Sequence, residues 1–158
     1  MQLAPESLKR RGLDCGRKVR RRDVKILKGS CLCGQVKIEV PDRFEYIGSC
    51  HCSECRKFSG AANATAGGID GALLNMISGG ESLSIYRKSE NTELAFCRHC
   101  GSSLFSRKRD SGLCNLRLGI LDDAPTQQPT FHIFVASKAP WEDICDDLPR
   151  FDGLPPTR

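Results

Sequence analysis

The sequence lacks long apolar segments, sustained helical periodicity and internal repeats. No apolar run in its 158 residues approaches the length that crosses a membrane. The first thirty residues contain no apolar segment of the kind that signals secretion. We therefore expect a cytoplasmic protein that makes no membrane contact. Without a sustained 3.6-residue apolar period, the predicted class is all-β, with short strands and long loops in one domain.

Positive charge is concentrated at the N-terminus. Residues 1–28 hold ten Lys or Arg and three acids, whereas the rest of the chain carries 14 bases and 16 acids. We interpret residues 1–24 as a flexible basic arm, residues 25–150 as the folded domain and residues 151–158 as a C-terminal tail. The arm could contact nucleic acid or an anionic surface. It contains no aromatic residue for base stacking, which favours a solvated arm without such a partner.

Alternation of apolar and polar residues predicts the strands. Val36, Ile38 and Val40 alternate with polar residues and are expected to face the core. Residues 59–71 are rich in Gly and Ala, which predicts turns or a backbone pressed close to a neighbour or ligand. We expect residues 61–66 to shape the pocket of any site nearby. Further strands are predicted at 44–48, 83–87, 93–96, 113–121 and, buried on both faces, 131–136.

Ten cysteines in a chain of this size require a chemical explanation. A disulfide framework needs an oxidising compartment, and residues two apart make poor disulfide partners but can share one metal ion. A redox-active Cys-x-x-Cys would not explain the Cys-x-Cys pairs. Metal binding is therefore the favoured interpretation. Seven cysteines are clustered, namely Cys31, Cys33, Cys50, Cys52, Cys55, Cys97 and Cys100, whereas Cys15, Cys114 and Cys145 stand alone.

Two of the clusters together predict a structural zinc site. Cys97-x-x-Cys100 followed by Gly101 has the form of a zinc knuckle, in which glycine tolerates a positive φ. Cys31-x-Cys33 supplies two more thiolates, because residues i and i+2 of an extended chain point to the same side. The four ligands complete a tetrahedron and would tie distant parts of the chain together.

The remaining cluster predicts a different kind of site. Cys50, Cys52 and Cys55 supply only three thiolates, and zinc sites with three protein ligands and one open position are typically catalytic. We therefore expect two zinc ions per chain, one structural and one catalytic.

Other residues could complete the second site and make it structural. Cys114, Cys145 or a histidine are the alternatives for a fourth ligand. His51 and His99 occupy spacer positions that tend to point away from the metal, and His132 lies in an apolar strand, where a hydrogen-bonded core histidine is the common outcome.

Charged residues surround the second cluster in the sequence. Arg56 and Lys57 follow it directly and could offset its negative charge and attract an anionic substrate, or could be two solvated charges on a turn. Glu54 and His51 are near, but the sequence identifies no general base.

The three cysteine motifs resemble one known family. The segments Gly29–Val36, Cys50–Gly60 and Phe96–Phe105 are similar, in order and spacing, to those of the glutathione-dependent formaldehyde-activating enzymes, whose domain is shared with centromere protein V. Later segments at 119–123 and 132–141 are similar too, so the resemblance spans about residues 25 to 150.

The resemblance implies a fold, a metal content and an activity. The fold is a β-tent (Mss4-like), in which zinc joins β-sheets, with a structural zinc on Cys31, Cys33, Cys97 and Cys100. A catalytic zinc is implied on Cys50, Cys52 and Cys55. The implied reaction is carbon–sulfur lyase chemistry on a small thiol substrate, with glutathione and formaldehyde giving S-hydroxymethylglutathione. The alternative hypothesis is a non-enzymatic, zinc-braced interaction module.

Overall fold

The computed structural model describes residues 24–156 of the chain. In this part the chain forms eleven β-strands and one α-helix, α1 (Ser53–Ser59), which confirms the all-β class. The basic arm predicted at residues 1–24 lies, apart from Val24, outside the described residues. Within residues 24–156 no helix is long and apolar enough to cross a membrane. The strands are β1 Ile26–Ser30, β2 Lys37–Pro41, β3 Tyr46–Cys50, β4 Ala64–Asp70, β5 Asn75–Ser78, β6 Leu83–Arg87, β7 Thr92–Cys97, β8 Ser103–Lys108, β9 Leu113–Arg117, β10 His132–Ile133 and β11 Arg150–Phe151.

The strands form two sheets. The smaller sheet has the order β1-β2-β5, and the larger has the order β11-β10-β3-β4-β9-β8-β7-β6. Strand β10 pairs in parallel with both β3 and β11, whereas the other pairs are antiparallel. An isolated bridge between Gly29 and Leu121 joins β1 to the segment that follows β9. The fold is thus a pair of sheets, as expected for a β-tent.

A single apolar cluster lies between the sheets. Val36, Ile38 and Val40 are at most 2% exposed, which confirms the predicted inward face of β2. They pack with Leu27 of β1 and with residues of the larger sheet. Burial of these side chains is the main force that joins the sheets. The contribution of the larger sheet includes Ile47, Ile69, Ala95, Leu104, Phe105 and Leu116.

The Gly- and Ala-rich segment forms strand β4, with two of its glycines in close contact with aromatic rings. A Cβ added at Gly67 would lie 2.5 Å from Cδ1 of Phe44, and one at Gly68 would lie 2.4 Å from Cε1 of Tyr46. Real Cβ contacts are not this short, so the two rings occupy the space that side chains would need. The backbone of residues 59–71 is therefore pressed close to neighbouring groups, as predicted. The segment includes a central strand as well as the predicted turns.

Three boundaries differ from the sequence prediction. The predicted strand 131–136 is wrong beyond Ile133, because Phe134 adopts a left-handed conformation (φ 56°, ψ 39°) and the chain continues as a 3-10 turn. The strand predicted at 113–121 ends at Arg117, where another 3-10 turn begins. Strand β11 (Arg150–Phe151) spans the boundary placed between the domain and its tail. Pairing with partners far along the chain decides these ends, and local pattern does not show it.

Candidate metal centres

The four-cysteine cluster lies where the two sheets meet. Cys31 and Cys33 follow β1 of the smaller sheet, whereas Cys97 ends β7 of the larger one and Cys100 lies in the turn after it. Their four Sγ atoms lie within 4.8 Å of one another. The cluster thus lies between two chain segments more than 60 residues apart, one from each sheet.

Tight turns aim these sulfurs at one point. Gly34 and Gly101 both have φ +74°, and the N–H of Gly101 donates to the carbonyl of Cys97 at 2.9 Å. This is the knuckle geometry expected from a glycine after the second cysteine, because only glycine adopts this φ at little cost. The backbone N–H of Val36 also donates to Sγ of Cys31 at 3.2 Å, which favours a thiolate there.

The sulfur spacing suits a tetrahedral zinc ion. Zn–S bonds of about 2.3 Å place the sulfurs of a tetrahedral site about 3.8 Å apart. The Sγ atoms of Cys33 and Cys97 are 3.8 Å apart, and those of Cys31 and Cys33 are 3.5 Å apart. Hydrogen bonds from the side chain and backbone of Ser102 lower the pKa of Cys100 to about 5, so this thiol ionises readily. The donor set and its spacing therefore fit a closed four-thiolate zinc site.

The three-cysteine cluster lies at the junction of β3 and α1. Cys50 ends β3, Cys52 caps the N-terminus of α1, and Cys55 lies in its first turn. The N–H of Cys55 donates to Sγ of Cys52 at 3.4 Å, and the Sγ atoms of Cys50 and Cys52 are 3.5 Å apart. The three sulfurs lie within 4.8 Å of one another, so they fit one side of a zinc tetrahedron.

The thiols of this cluster ionise unequally. A hydrogen bond from Cys50, opposed by burial and assisted by the positive charges of Arg117 and Lys88, lowers the pKa of Cys55 to about 6. The same thiol–thiol contact, together with burial, raises the pKa of Cys50. Cys55 is thus ionised near neutral pH, and metal binding would deprotonate Cys50.

None of the alternative fourth ligands joins this cluster in the part of the chain that the structure describes. The group that could hold a metal here contains Cys50, Cys52 and Cys55 alone. Cys114 is buried in β9, Cys145 is exposed, and neither belongs to either cluster.

The histidines are also directed elsewhere. His99 is exposed, whereas the ring of His51 is fully buried and bonded to other side chains. Its backbone N–H donates to the carbonyl of Ile133 at 3.0 Å. This arrangement agrees with the expectation that His51 and His99, at spacer positions between the cysteines, point away from the metal.

A chain of hydrogen bonds runs from Glu142 through two histidines to Asp146. Nδ1 of His51 is 2.9 Å from Oε2 of Glu142, and Nε2 of His51 is 2.8 Å from Nδ1 of His132. Nε2 of His132 is 3.0 Å from Oδ2 of Asp146. The sequence analysis expected His132 to be a bonded core histidine, but it did not find the partners, which lie in a loop that shows no periodic pattern.

Each end of this histidine chain is a carboxyl group with a lowered pKa. Burial raises the pKa of Glu142, but hydrogen bonds from Asn63 and His51 outweigh it and leave the pKa below its ordinary value. The N–H of Leu148 and the contact with His132 lower the pKa of Asp146. Both carboxylates are therefore ionised near neutral pH and can accept hydrogen bonds from the histidine rings.

A cavity of about 750 Å³ opens onto the three-cysteine cluster. Aromatic side chains form much of its wall, and one of them, Phe134, is the residue held in the left-handed conformation. Ala64 and Ala66 of β4 border it, as expected for the segment 61–66. Its size is that of a small-molecule site. The aromatic residues of the wall are Tyr46, Phe58, Phe131 and Phe134.

The positive charges of the cavity differ from those the sequence suggested. Arg56 donates to the carbonyls of His51 at 3.3 Å and Ser137 at 3.2 Å, so it braces the loop and does not line the cavity. Lys57 does not line it either. The cations that do are Lys88, Lys108 and Arg117. They come from β8, β9 and the turn after β6, and only sheet pairing brings them to the cluster, so no local motif could have identified them.

These observations define a two-sheet protein with two cysteine clusters able to hold metal ions, one joining the sheets and one lining a cavity. Residues 26–137 match the family model described as "Glutathione-dependent formaldehyde-activating enzyme". This match covers more than half of the chain, so the chain belongs to that family, as the resemblance predicted.

Individual relatives agree with this assignment. A Halomonas elongata protein named "Putative glutathione-dependent formaldehyde-activating enzyme" is 28% identical over 127 residues, which cover 75% of this chain and 81% of that protein. An Aspergillus flavus protein of the same name is 29% identical over 68% of this chain, but the match spans only 59% of its length. The crystal structure of a Rhodobacter sphaeroides protein is similar with a TM-score of 0.52 and 28% identity, covering 61% of this chain and 89% of that one.

Proposed function

We propose that this protein is a zinc-dependent carbon–sulfur lyase that makes or breaks the adduct of a small thiol with an aldehyde. The reaction would be that of glutathione with formaldehyde, which gives S-hydroxymethylglutathione. The supporting observation is that Cys50, Cys52 and Cys55 line a cavity of about 750 Å³. A metal site that serves only as a brace needs no such cavity. The reducing cytoplasm is the proposed location, since it keeps thiols free to bind metal.

The two metal clusters would have separate roles. We propose two zinc ions per chain, a structural one on Cys31, Cys33, Cys97 and Cys100 and a catalytic one on the three-cysteine cluster. Zinc held by three thiolates would supply a Lewis-acid position that lowers the pKa of a thiol substrate.

The chain's own residues would position the reactants. In the addition direction the substrate sulfur attacks the carbonyl carbon, a C–S bond forms, and the carbonyl oxygen takes up the proton that the thiol released. The aromatic wall of the cavity would exclude water around these atoms. Lys108, whose Nζ donates to Oγ1 of Thr92 at 2.9 Å, and Lys88 would favour the negative charge that develops on oxygen. The reverse reaction breaks the C–S bond by the same contacts.

Metal content and thiol binding test this proposal. We expect two zinc ions per chain by elemental analysis. In cadmium-substituted protein, NMR should give two resonances, of which glutathione shifts one. S-Methylglutathione, which has no free thiol, is the matched control and should shift neither. Two all-protein environments that do not respond to glutathione would instead support the interaction module.

Rate measurements complete the test, because thiols also add to formaldehyde unaided. We expect the protein to accelerate exchange between glutathione and S-hydroxymethylglutathione, measured by exchange NMR, above the uncatalysed rate. Cys52→Ser should abolish the acceleration, because it removes one ligand of the three-cysteine cluster. Cys145→Ser changes an exposed cysteine outside both clusters and should leave the acceleration unchanged. Equal acceleration by wild type and Cys52→Ser would contradict the proposal.

A further inference from the structure

Arg117 is a buried cation without a hydrogen-bond or carboxylate partner in the part of the chain that the structure describes. It ends β9 and is only 8% exposed. Its Nε is buried without a hydrogen-bond partner, and no carboxylate of residues 24–156 forms an ion pair with its guanidinium. Its recorded contact is with the ring of Phe58, whose centroid lies 5.2 Å from Cζ. A guanidinium has five N–H donors, so leaving it buried and unpaired is costly.

The other two cations of the cavity wall already have partners. Lys88 forms an ion pair with Glu54, which is the only acidic residue of the cavity wall within the described chain. Lys108 bonds to Thr92, and the hydroxyl of Tyr46 donates to Oδ1 of Asn115 at 2.6 Å. Among the cations of this wall within the described residues, Arg117 is therefore the one without a hydrogen-bond partner.

Sheet register places Arg117 on the same face of the larger sheet as Cys50 of the three-cysteine cluster. Gly48 of β3 pairs with Ala66 of β4, and Ala66 pairs with Arg117. Cys50 lies two residues after Gly48 and so shares its face of the sheet. With strands about 4.8 Å apart and about 3.4 Å of rise per residue, the Cα atoms of Cys50 and Arg117 are about 12 Å apart.

The residues between these two points are small. Ala64 and Ala66 line the cavity with methyl groups, whereas the ring of Phe131 lies directly against Gly48. The side chain of Arg117 covers part of the 12 Å, so a ligand of about tripeptide size can reach from the cysteine cluster to the guanidinium. The cavity volume of about 750 Å³ admits a ligand of this size.

From this geometry we propose that Arg117 binds a carboxylate of the thiol substrate while the thiol lies at the three-cysteine cluster. The proposal rests on the proposed function and narrows its substrates to thiols that carry a carboxylate. Guanidinium and carboxylate pair through two parallel hydrogen bonds, which supplies the partner that Arg117 lacks and fixes the ligand's orientation. Neutral small thiols would reach the cluster but would lose this contact.

Cobalt-substituted protein tests the proposal, because its thiolate absorption reports thiol binding without turnover. Three ligands are titrated, namely glutathione, its glycine monoethyl ester and N-acetylcysteinylglycine, which lacks the γ-glutamyl carboxylate. Each is titrated into wild type, Arg117→Gln and the control Arg43→Gln, which makes the same charge change at an exposed position. Comparison of the two altered ligands with glutathione shows which of its two carboxylates is bound.

We expect one of the two altered ligands to bind wild type about 10- to 100-fold more weakly than glutathione does, because a charged hydrogen bond is lost. Arg117→Gln should lower the affinity for glutathione by a similar factor. It should leave the affinity for that altered ligand unchanged, because this ligand already lacks the carboxylate that Arg117 would bind. Arg43→Gln should match wild type throughout.

Two results would overturn the proposal while the proposed function stands. One is a wild-type protein that binds all three thiols equally, a comparison that remains informative even if Arg117→Gln does not fold. The other is an Arg117→Gln protein that binds all three thiols with wild-type affinity, or whose affinity for all three falls by the same factor. A wild-type cobalt spectrum that no thiol changes would instead refute the proposed function, and this proposal with it.

Discussion

The two cysteine clusters use the same ligand chemistry in opposite settings. The four-cysteine cluster joins two sheets, and two of its residues, Cys31 and Cys97, are at most 2% exposed. The three-cysteine cluster lies within six residues of chain, at the edge of a cavity, with all three cysteines partly exposed. Under the proposed function, the ligand number and the surroundings of each cluster, and not the type of ligand, distinguish the structural site from the catalytic one.

Removing one ligand from each cluster should give the largest contrast. Cys97→Ser should unfold the protein or lower its stability by several kcal/mol, because structural zinc contributes on the order of 10 kcal/mol to the folding of small zinc domains. Cys52→Ser should leave the two sheets intact and remove one zinc. Thermal unfolding and elemental analysis measure both effects. Equal losses of stability would show that the clusters do not differ in this way.

Metal release to a chelator should occur in two phases. The three-cysteine cluster should release its ion first, because its ligands face the cavity, whereas two of the other four sulfurs are buried. A colorimetric chelator follows both phases. Cys52→Ser provides the control, since it should retain only the slow phase. A fast phase that persists in this variant would assign early release to the four-cysteine cluster.

The histidine chain should support only the three-cysteine cluster. His132→Ala removes a hydrogen-bond partner of the His51 ring, and His51 lies between Cys50 and Cys52 in the sequence. The buried polar group left behind should cost about 1–3 kcal/mol. We expect lower stability in urea and faster loss of the first zinc, with the slow phase unchanged. His99→Ala, at an exposed position, is the control. A change in the slow phase alone would contradict this assignment.

Acid should produce the smallest contrast. The pKa of Glu142 in the folded protein lies below its ordinary value. The carboxylate therefore stabilises the fold fully at a pH above its ordinary pKa, and this contribution is lost as the pH falls through the lower, folded-state pKa. Glu142→Gln, which has no such ionisation, should therefore lose less stability than wild type between pH 7 and pH 3. Urea unfolding at each pH measures the difference. Identical acid dependence of the two proteins would rule out this linkage.

Local pattern was sufficient for some parts of the fold. Alternation identified the buried face of β2, and the glycine after Cys100 identified the knuckle turn, because both depend on neighbours in sequence. Helix α1 was missed because it has seven residues, none of them fully buried, and so shows no apolar period. Strands β10 and β11 were missed or overextended because each consists of two residues held by parallel pairing.

The sequence by itself determined two cysteine pairs and one triple, because close spacing in the chain imposes closeness in space. Only the tertiary structure brings the pair at 31 and 33 to the pair at 97 and 100. The tertiary structure decided what surrounds them. Only sheet register places Arg117 on the same face of the larger sheet as Cys50. Only the packing of loop 142–146 against β10 gives His51 and His132 their acidic partners. His51 and Glu142 are 91 positions apart in the chain, and even His132 and Asp146 are 14 apart, so no local spacing encodes these contacts.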